Sequence, residues 1–180
     1  MPLCYDEAVI KPQEISKAGC APKNSFDDPM EHLLACHRRI EQRLESLELV
    51  AANFESKPTE ARDALNAAFK YFDTNGAWHT EDEEQSVFPR IVPSLNPAEL
   101  TFVKLLEEQH RGAESCYARL KASGAAFDRS FRDVVAEFCA IYRKHIATEE
   151  SLLISIGRKY LSPSQLAEIS AEMKQRRGLA

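Results

Sequence analysis

His37, His79, His110 and His145 fall one each on four segments whose apolar residues recur at helical spacing. Each histidine stands where that spacing calls for a core-facing apolar side chain. Two of them carry a glutamate four residues later, Glu83 after His79 and Glu149 after His145, one turn along the same face. Imidazoles and carboxylates aimed into an apolar interior are costly to bury alone, and a metal ion is the partner that suits this mixture of donors. A solitary His-x-x-x-Glu is ordinarily a solvated ion pair on a helix surface. Here both pairs lie on apolar stripes, and the pattern of a lone histidine followed by His-x-x-x-Glu is given twice. Two equivalent half-sites imply two metal ions. Each would take two imidazoles, with a glutamate able to bridge and positions left open for water, an oxo bridge or a diatomic ligand. Mixed nitrogen and oxygen ligation suits iron, manganese or zinc.

The elements that must position these residues are legible from their punctuation. Asp28, Pro29 and Glu31 open a first helix as N-cap, first helical residue and capping-box partner. Leu33, His37, Ile40, Leu44 and Leu47 trace its inward face. His32 is displaced by about 140° from that line and is expected at the surface or at a cap. A second helical region is expected from about Pro58 to Val92, interrupted near residues 73–76, which are poor helix formers, so that a kink falls just before His79. Asn96, Pro97 and Glu99 open a third helix, with Gly124 as its stop. The fourth runs from about Phe127 through Phe138, His145, Glu149 and Leu153, and Gly157 and Pro163 bracket its end. Ser162 and Gln165 cap a short fifth helix that Gly178 closes. Short loops make successive helices antiparallel neighbours. From His79 to its helix end and from the next helix start to His110 are both roughly thirteen residues, about 20 Å each way. The imidazoles should meet at one height.

Other residues near these lines read as less central. Glu114 follows His110 by four, but Ala113 fits the inward stripe better. Glu84 and Glu150 sit a further 100° or so around their helices and read as solvated. Tyr71 and Tyr142 flank the site as core or hydrogen-bonding residues, and Cys36 points away from it.

The whole chain bounds the rest. Its 180 residues suit one domain of ordinary composition, 44% hydrophobic and 28% charged. Strand-favouring runs are nearly absent, which argues for an all-α fold. The net charge of −5 gives no broad basic field, so nucleic acid is not expected as a partner. Lys174, Arg176 and Arg177 read as partners of a helix C-terminal dipole. Residues 1–24 lack the apolar run of a signal peptide and nothing later could span a membrane. Five cysteines without paired short spacing point to neither a zinc site nor a disulfide framework, and a reducing cytoplasm is the simplest setting.

Taken together, Leu34-Ala-Cys-His37-Arg-Arg-Ile, His79-Thr-Glu-Asp-Glu83-Glu84 with Ser86-Val-Phe-Pro-Arg90, Glu108-Gln-His110-Arg, and Tyr142-Arg-Lys-His145-Ile-Ala-Thr-Glu149-Glu resemble the four helices of the hemerythrin-like, HHE cation-binding family. The resemblance covers about residues 27–160. It implies an up-down-up-down four-helix bundle around two iron ions, oxo- or hydroxo-bridged, with zinc or manganese as other occupants. The ligand set carried over is His37, His79, Glu83, His110, His145 and Glu149. Residues 1–26 would be an extension, mobile or lying across the bundle mouth, and residues 161–180 a C-terminal helix packed on the bundle. Oxygen-carrying hemerythrins have a second histidine on the third helix, where this chain has Glu114, and an aspartate five residues after the fourth-helix histidine. The resemblance therefore implies the divergent branch that handles iron, oxygen, nitric oxide or peroxide. The expected activity is binding or sensing of O₂, NO or iron. The alternatives are a redox enzyme acting on peroxide or ferrous iron, and a zinc-bound or metal-free interaction bundle.

Overall fold

A computed structural model of the chain describes residues 26–179. The extension expected at residues 1–26, with Cys4 and Cys20, lies outside them except for Phe26. The described chain is all-α, with four long helical rods in alternating direction and a shorter helix packed against the first and second of them. Helix α1 spans Pro29–Asn53, and the Asp28 carboxylate accepts from the Met30 and Glu31 amides at 2.9 and 3.2 Å. Only half of the expected capping box forms, because the Glu31 side chain pairs with Arg158. The second rod is continuous but uneven: α2 (Pro58–Tyr71), a π segment (Phe72–Gly76), α3 (Ala77–Glu81), a second π turn (Asp82–Val87), α4 (Phe88–Ile91) and a 3₁₀ turn (Val92–Ser94). The first π segment coincides with the expected break before His79; the second falls where an unbroken helix is expected. Helices α5 (Pro97–Ala126), α6 (Phe131–Tyr160) and α7 (Pro163–Arg176) complete the fold, with the expected capping boxes at Asn96 and Ser162.

Two glycines serve packing where the sequence suggested helix ends. Gly124 lies before the end of α5, and a Cβ there would come within 3.0 to 3.3 Å of Leu65, Phe69 and Phe131. The helix ends instead at Phe127, which is left-handed at φ 48° and belongs to this cap rather than to the fourth helix. That conformation costs a bulky residue about 1–2 kcal/mol. Stacking on Phe54 at 5.0 Å and the Arg62 guanidinium 4.0 Å over its ring offset the cost. Gly157 is interior to α6, with the Met30 side chain filling the space beside it.

The apolar side chains form two separate cores. A lower one gathers Leu44, Leu47, Leu65, Phe72, Leu120, Phe131 and Phe138; an upper one gathers Met30, Leu33, Val87, Ile91, Leu106, Leu153, Ile169 and Met173. Each rod crosses from one core to the other at its histidine, so the polar residues form a layer between two apolar plugs. Helix α5 packs closely on α6, and α1 on both α2 and α6. A cavity of about 680 Å³, lined by residues of the second rod, α5 and α6, reaches His79, His110 and His145. No described helix is long and apolar enough to cross a membrane. Cys36, Cys116 and Cys139 are buried free thiols.

Candidate metal centre

The layer between the two cores contains all six candidates, and each is at most 9% exposed. They form two overlapping donor groups. His37, His79, Glu83 and Glu149 make one, and Glu83, His110 and His145 the other; within each, the donor atoms lie within 4.8 Å of one another. Glu83 belongs to both because it stands between the halves. Its Oε1 is 3.4 Å from His79 Nε2 and its Oε2 is 2.9 Å from His110 Nε2. Glu149 Oε2 is 3.1 Å from His37 Nε2 and 3.4 Å from His145 Nε2. Despite this crowding, Nε2 of His79, His110 and His145, both Glu83 oxygens and Glu149 Oε1 make no hydrogen bond in this arrangement. Buried polar atoms are rarely left so. Donors aimed at a shared point rather than at each other have this geometry, and the residues fit a cation.

The far side of three of the four rings helps to explain the aim; His79 Nδ1 has no hydrogen-bond partner among the described residues. His37 Nδ1 donates to Glu150 at 2.8 Å, and His110 Nδ1 to Glu84 at 2.7 Å. His145 Nδ1 donates to Gln109 Oε1 at 3.2 Å, while the Gln109 amide donates to Thr148. Holding the proton on Nδ1 leaves the Nε2 lone pair for the centre. Glu84 and Glu150, read from the sequence as solvated, are 39% and 44% exposed, yet each anchors the lone histidine of the opposite half. The signal for them was present: both halves read His-x-x-x-Glu-Glu, so the second glutamate repeats as faithfully as the first.

Electrostatics point the same way. Burial disfavours charge on His37, but Glu149 and Glu150 outweigh it and raise its pKa. Burial holds His145 down at about 4 and His79 well below its ordinary value, both against the pull of Glu149. Glu83 is pushed well up by burial and then by its neighbour Glu149, whereas Glu149 stays ionised because His37 overcomes its desolvation. Two carboxylates buried side by side must share protons or a cation.

Three other residues depart from their sequence reading. His32 is fully buried rather than superficial, stacked on Phe26 at 4.1 Å with Nε2 3.5 Å from Cys36 Sγ. Arg176 and Arg177 sit at the C-terminus of α7 as expected, but beyond that they ion-pair with buried Asp82 at 2.8 and 2.7 Å. Tyr142 lines the cavity, its ring 6.5 Å from that of His145, and Glu114 lines the same cavity without joining either donor group. Tyr71 packs in the lower core.

Comparison with known proteins follows the same outline. The family model of the hemerythrin HHE cation-binding domain matches residues 28–156, the four rods without α7. A Haemophilus influenzae protein described as an uncharacterized protein is 27% identical over 177 residues, covering 94% of this chain and 96% of that one.

Proposed function

This chain belongs to the hemerythrin HHE cation-binding domain family, and from that premise we propose that it holds two iron ions and binds or senses a small ligand such as O₂, NO or iron. The observation that carries the reading is the pair of buried donor groups sharing Glu83. One position would be held by His37, His79, Glu83 and Glu149, the other by Glu83, His110 and His145. Iron bound there would supply one-electron redox change and open coordination positions.

The chain's own residues set the conditions. Glu84, Glu150 and Gln109 favour the Nδ1–H tautomers of His110, His37 and His145. The two apolar cores exclude water from above and below. The three-donor group is the one with fewer protein donors, and both of its histidines line the cavity. A ligand from solvent would reach the centre there. Besides aromatic and small residues, that cavity is lined by Asp73, Glu84, Arg111, Glu114 and Lys121. A polar route favours a second reading beside the first, a redox enzyme acting on peroxide or ferrous iron, since neither needs an apolar tunnel.

Metal analysis of protein loaded with ferrous iron tests the core claim. Two ions per chain are expected, and fewer than one rejects both iron readings. His79→Ala and Glu83→Ala should lose the metal, while His32→Ala should keep it. Stopped-flow spectra with O₂ or NO, set against a peroxide-turnover assay, separate binding from catalysis.

A further inference from the structure

Three consecutive acidic residues, Asp82, Glu83 and Glu84, fan out from the second π turn to three different partners. Glu83 faces the donor groups and Glu84 holds His110. Asp82, fully buried, turns the other way, to α7. Its Oδ1 accepts from Arg176 Nη1 at 2.8 Å and Arg177 Nη1 at 3.2 Å, and its Oδ2 from Arg177 Nη2 at 2.7 Å. Arg176 Nη2 also donates to Ser86 Oγ at 2.7 Å, so adjacent guanidinium groups fasten the turn near both of its ends. Arg177 is itself held, donating to the Met173 carbonyl at 2.9 Å with its guanidinium carbon 5.5 Å from the ring centroids of Phe26 and Trp78.

Burying a carboxylate costs several kcal/mol and is recovered only where the geometry of the pair is good. Packing alone does not require it, because Ile169 and Met173 already dock α7 in the upper core. What the ion pairs add is direction. Successive side chains on one helical turn leave the backbone in different directions at a set angle, so fixing Asp82 fixes the azimuth of Glu83. A π turn is a local distortion that a regular helix does not impose on itself.

We propose that Arg176 and Arg177, acting through Asp82, are positioning residues: α7 holds the π turn in the twist that aims Glu83 at both donor groups and Glu84 at His110. The inference rests on the reading that these donors hold metal.

The test uses the full chain, with Zn²⁺ affinity measured by competition against a chromophoric chelator and the visible spectrum of bound Co²⁺ reporting ligand geometry. Asp82→Asn and Arg177→Lys should weaken Zn²⁺ binding about 10- to 100-fold, the range for partners that orient ligands, and alter the Co²⁺ spectrum. Two comparison variants should change neither. Gly124→Val destabilises the lower core, and Glu137→Gln removes the Arg119–Glu137 tie between α5 and α6 without touching Asp82 or its turn. If the unaltered chain binds Zn²⁺ and both Asp82→Asn and Arg177→Lys match it in affinity and spectrum, the positioning role is overturned. An equal loss in Gly124→Val overturns it too, since lost stability alone would then account for the effect. If Asp82→Asn does not fold, Arg177→Lys decides by the same criteria. No binding by the unaltered chain would instead overturn the metal reading, and this inference with it.

Discussion

A histidine is best aimed with Nε2 at an ion when a partner holds the proton on Nδ1. In this chain that work falls to residues of the opposite half: Glu150 on α6 holds His37 of α1, and Glu84 on the second rod holds His110 of α5. The lone histidines are thus each gripped by consecutive carboxylates, one inside the layer and one at its rim. Glu84→Gln and Glu150→Gln keep an acceptor in place but remove its charge, and each is expected to weaken metal binding about 10- to 100-fold with little change in fold. Chelator competition measures this; full affinity in both variants would mean that the rim carboxylates do not orient the rings. His32 shows where single-residue reasoning stops. It does lie off the inward line of α1, but that side of the helix is covered by Phe26, a contact outside helix periodicity.

At the scale of elements, the second rod is the least regular of the four and carries the shared carboxylate. Its two π segments flank α3, which holds His79, so this ligand candidate is bracketed by distortions rather than set in a regular helix. The weak helix formers at 73–76 announced the first distortion. The second falls on good helix formers such as Glu83, Glu84 and Gln85, so propensity could not reveal it. Its neighbours in space, Arg176 and Arg177, lie more than ninety residues away. Close packing elsewhere is equally specific. Gly124→Val places branched bulk against Leu65, Phe69 and Phe131, and should destabilise the chain by about 1–3 kcal/mol. Urea unfolding checks this, and a shift near zero would show that the α2–α5 contact can open freely.

On the scale of the whole molecule, a polar layer sandwiched between two apolar cores ties stability to protons and to metal. Burial, then Arg177 and Arg39, hold His32 at about 3, well below an ordinary histidine. As pH falls below about 6.5 the unfolded chain takes up that proton and the folded chain does not, so stability declines from there towards pH 3. His145, at about 4, acts in the same sense. The slope approaches about 1.4 kcal/mol per pH unit for each such histidine. His37 acts oppositely: its contribution is complete below about 6.5 and is lost as pH rises through its raised folded value. Chelator-treated His32→Gln should therefore lose less stability between pH 7 and pH 5 than the unaltered chain, read as the shift in urea midpoint, and an identical pH dependence in the two contradicts the assignment to His32. Bound metal should add about 2.7 kcal/mol at a hundredfold excess over its dissociation constant. That gain should shrink in acid, as protons compete for the imidazoles.

Periodicity and caps alone determined the number, direction and rough limits of the rods, because helical spacing and N-cap chemistry are local. They also placed four histidines and two glutamates on inward faces at one height, since the rise per residue converts sequence distance into length. Tertiary structure decided which carboxylate is shared, which glutamates hold the rings, and how Asp82 is anchored. Those depend on the rotation of each rod about its own axis and on partners far away in the chain. That rotation, set by the packing of all the helices together, separates the carboxylate that faces the layer from the one at its rim.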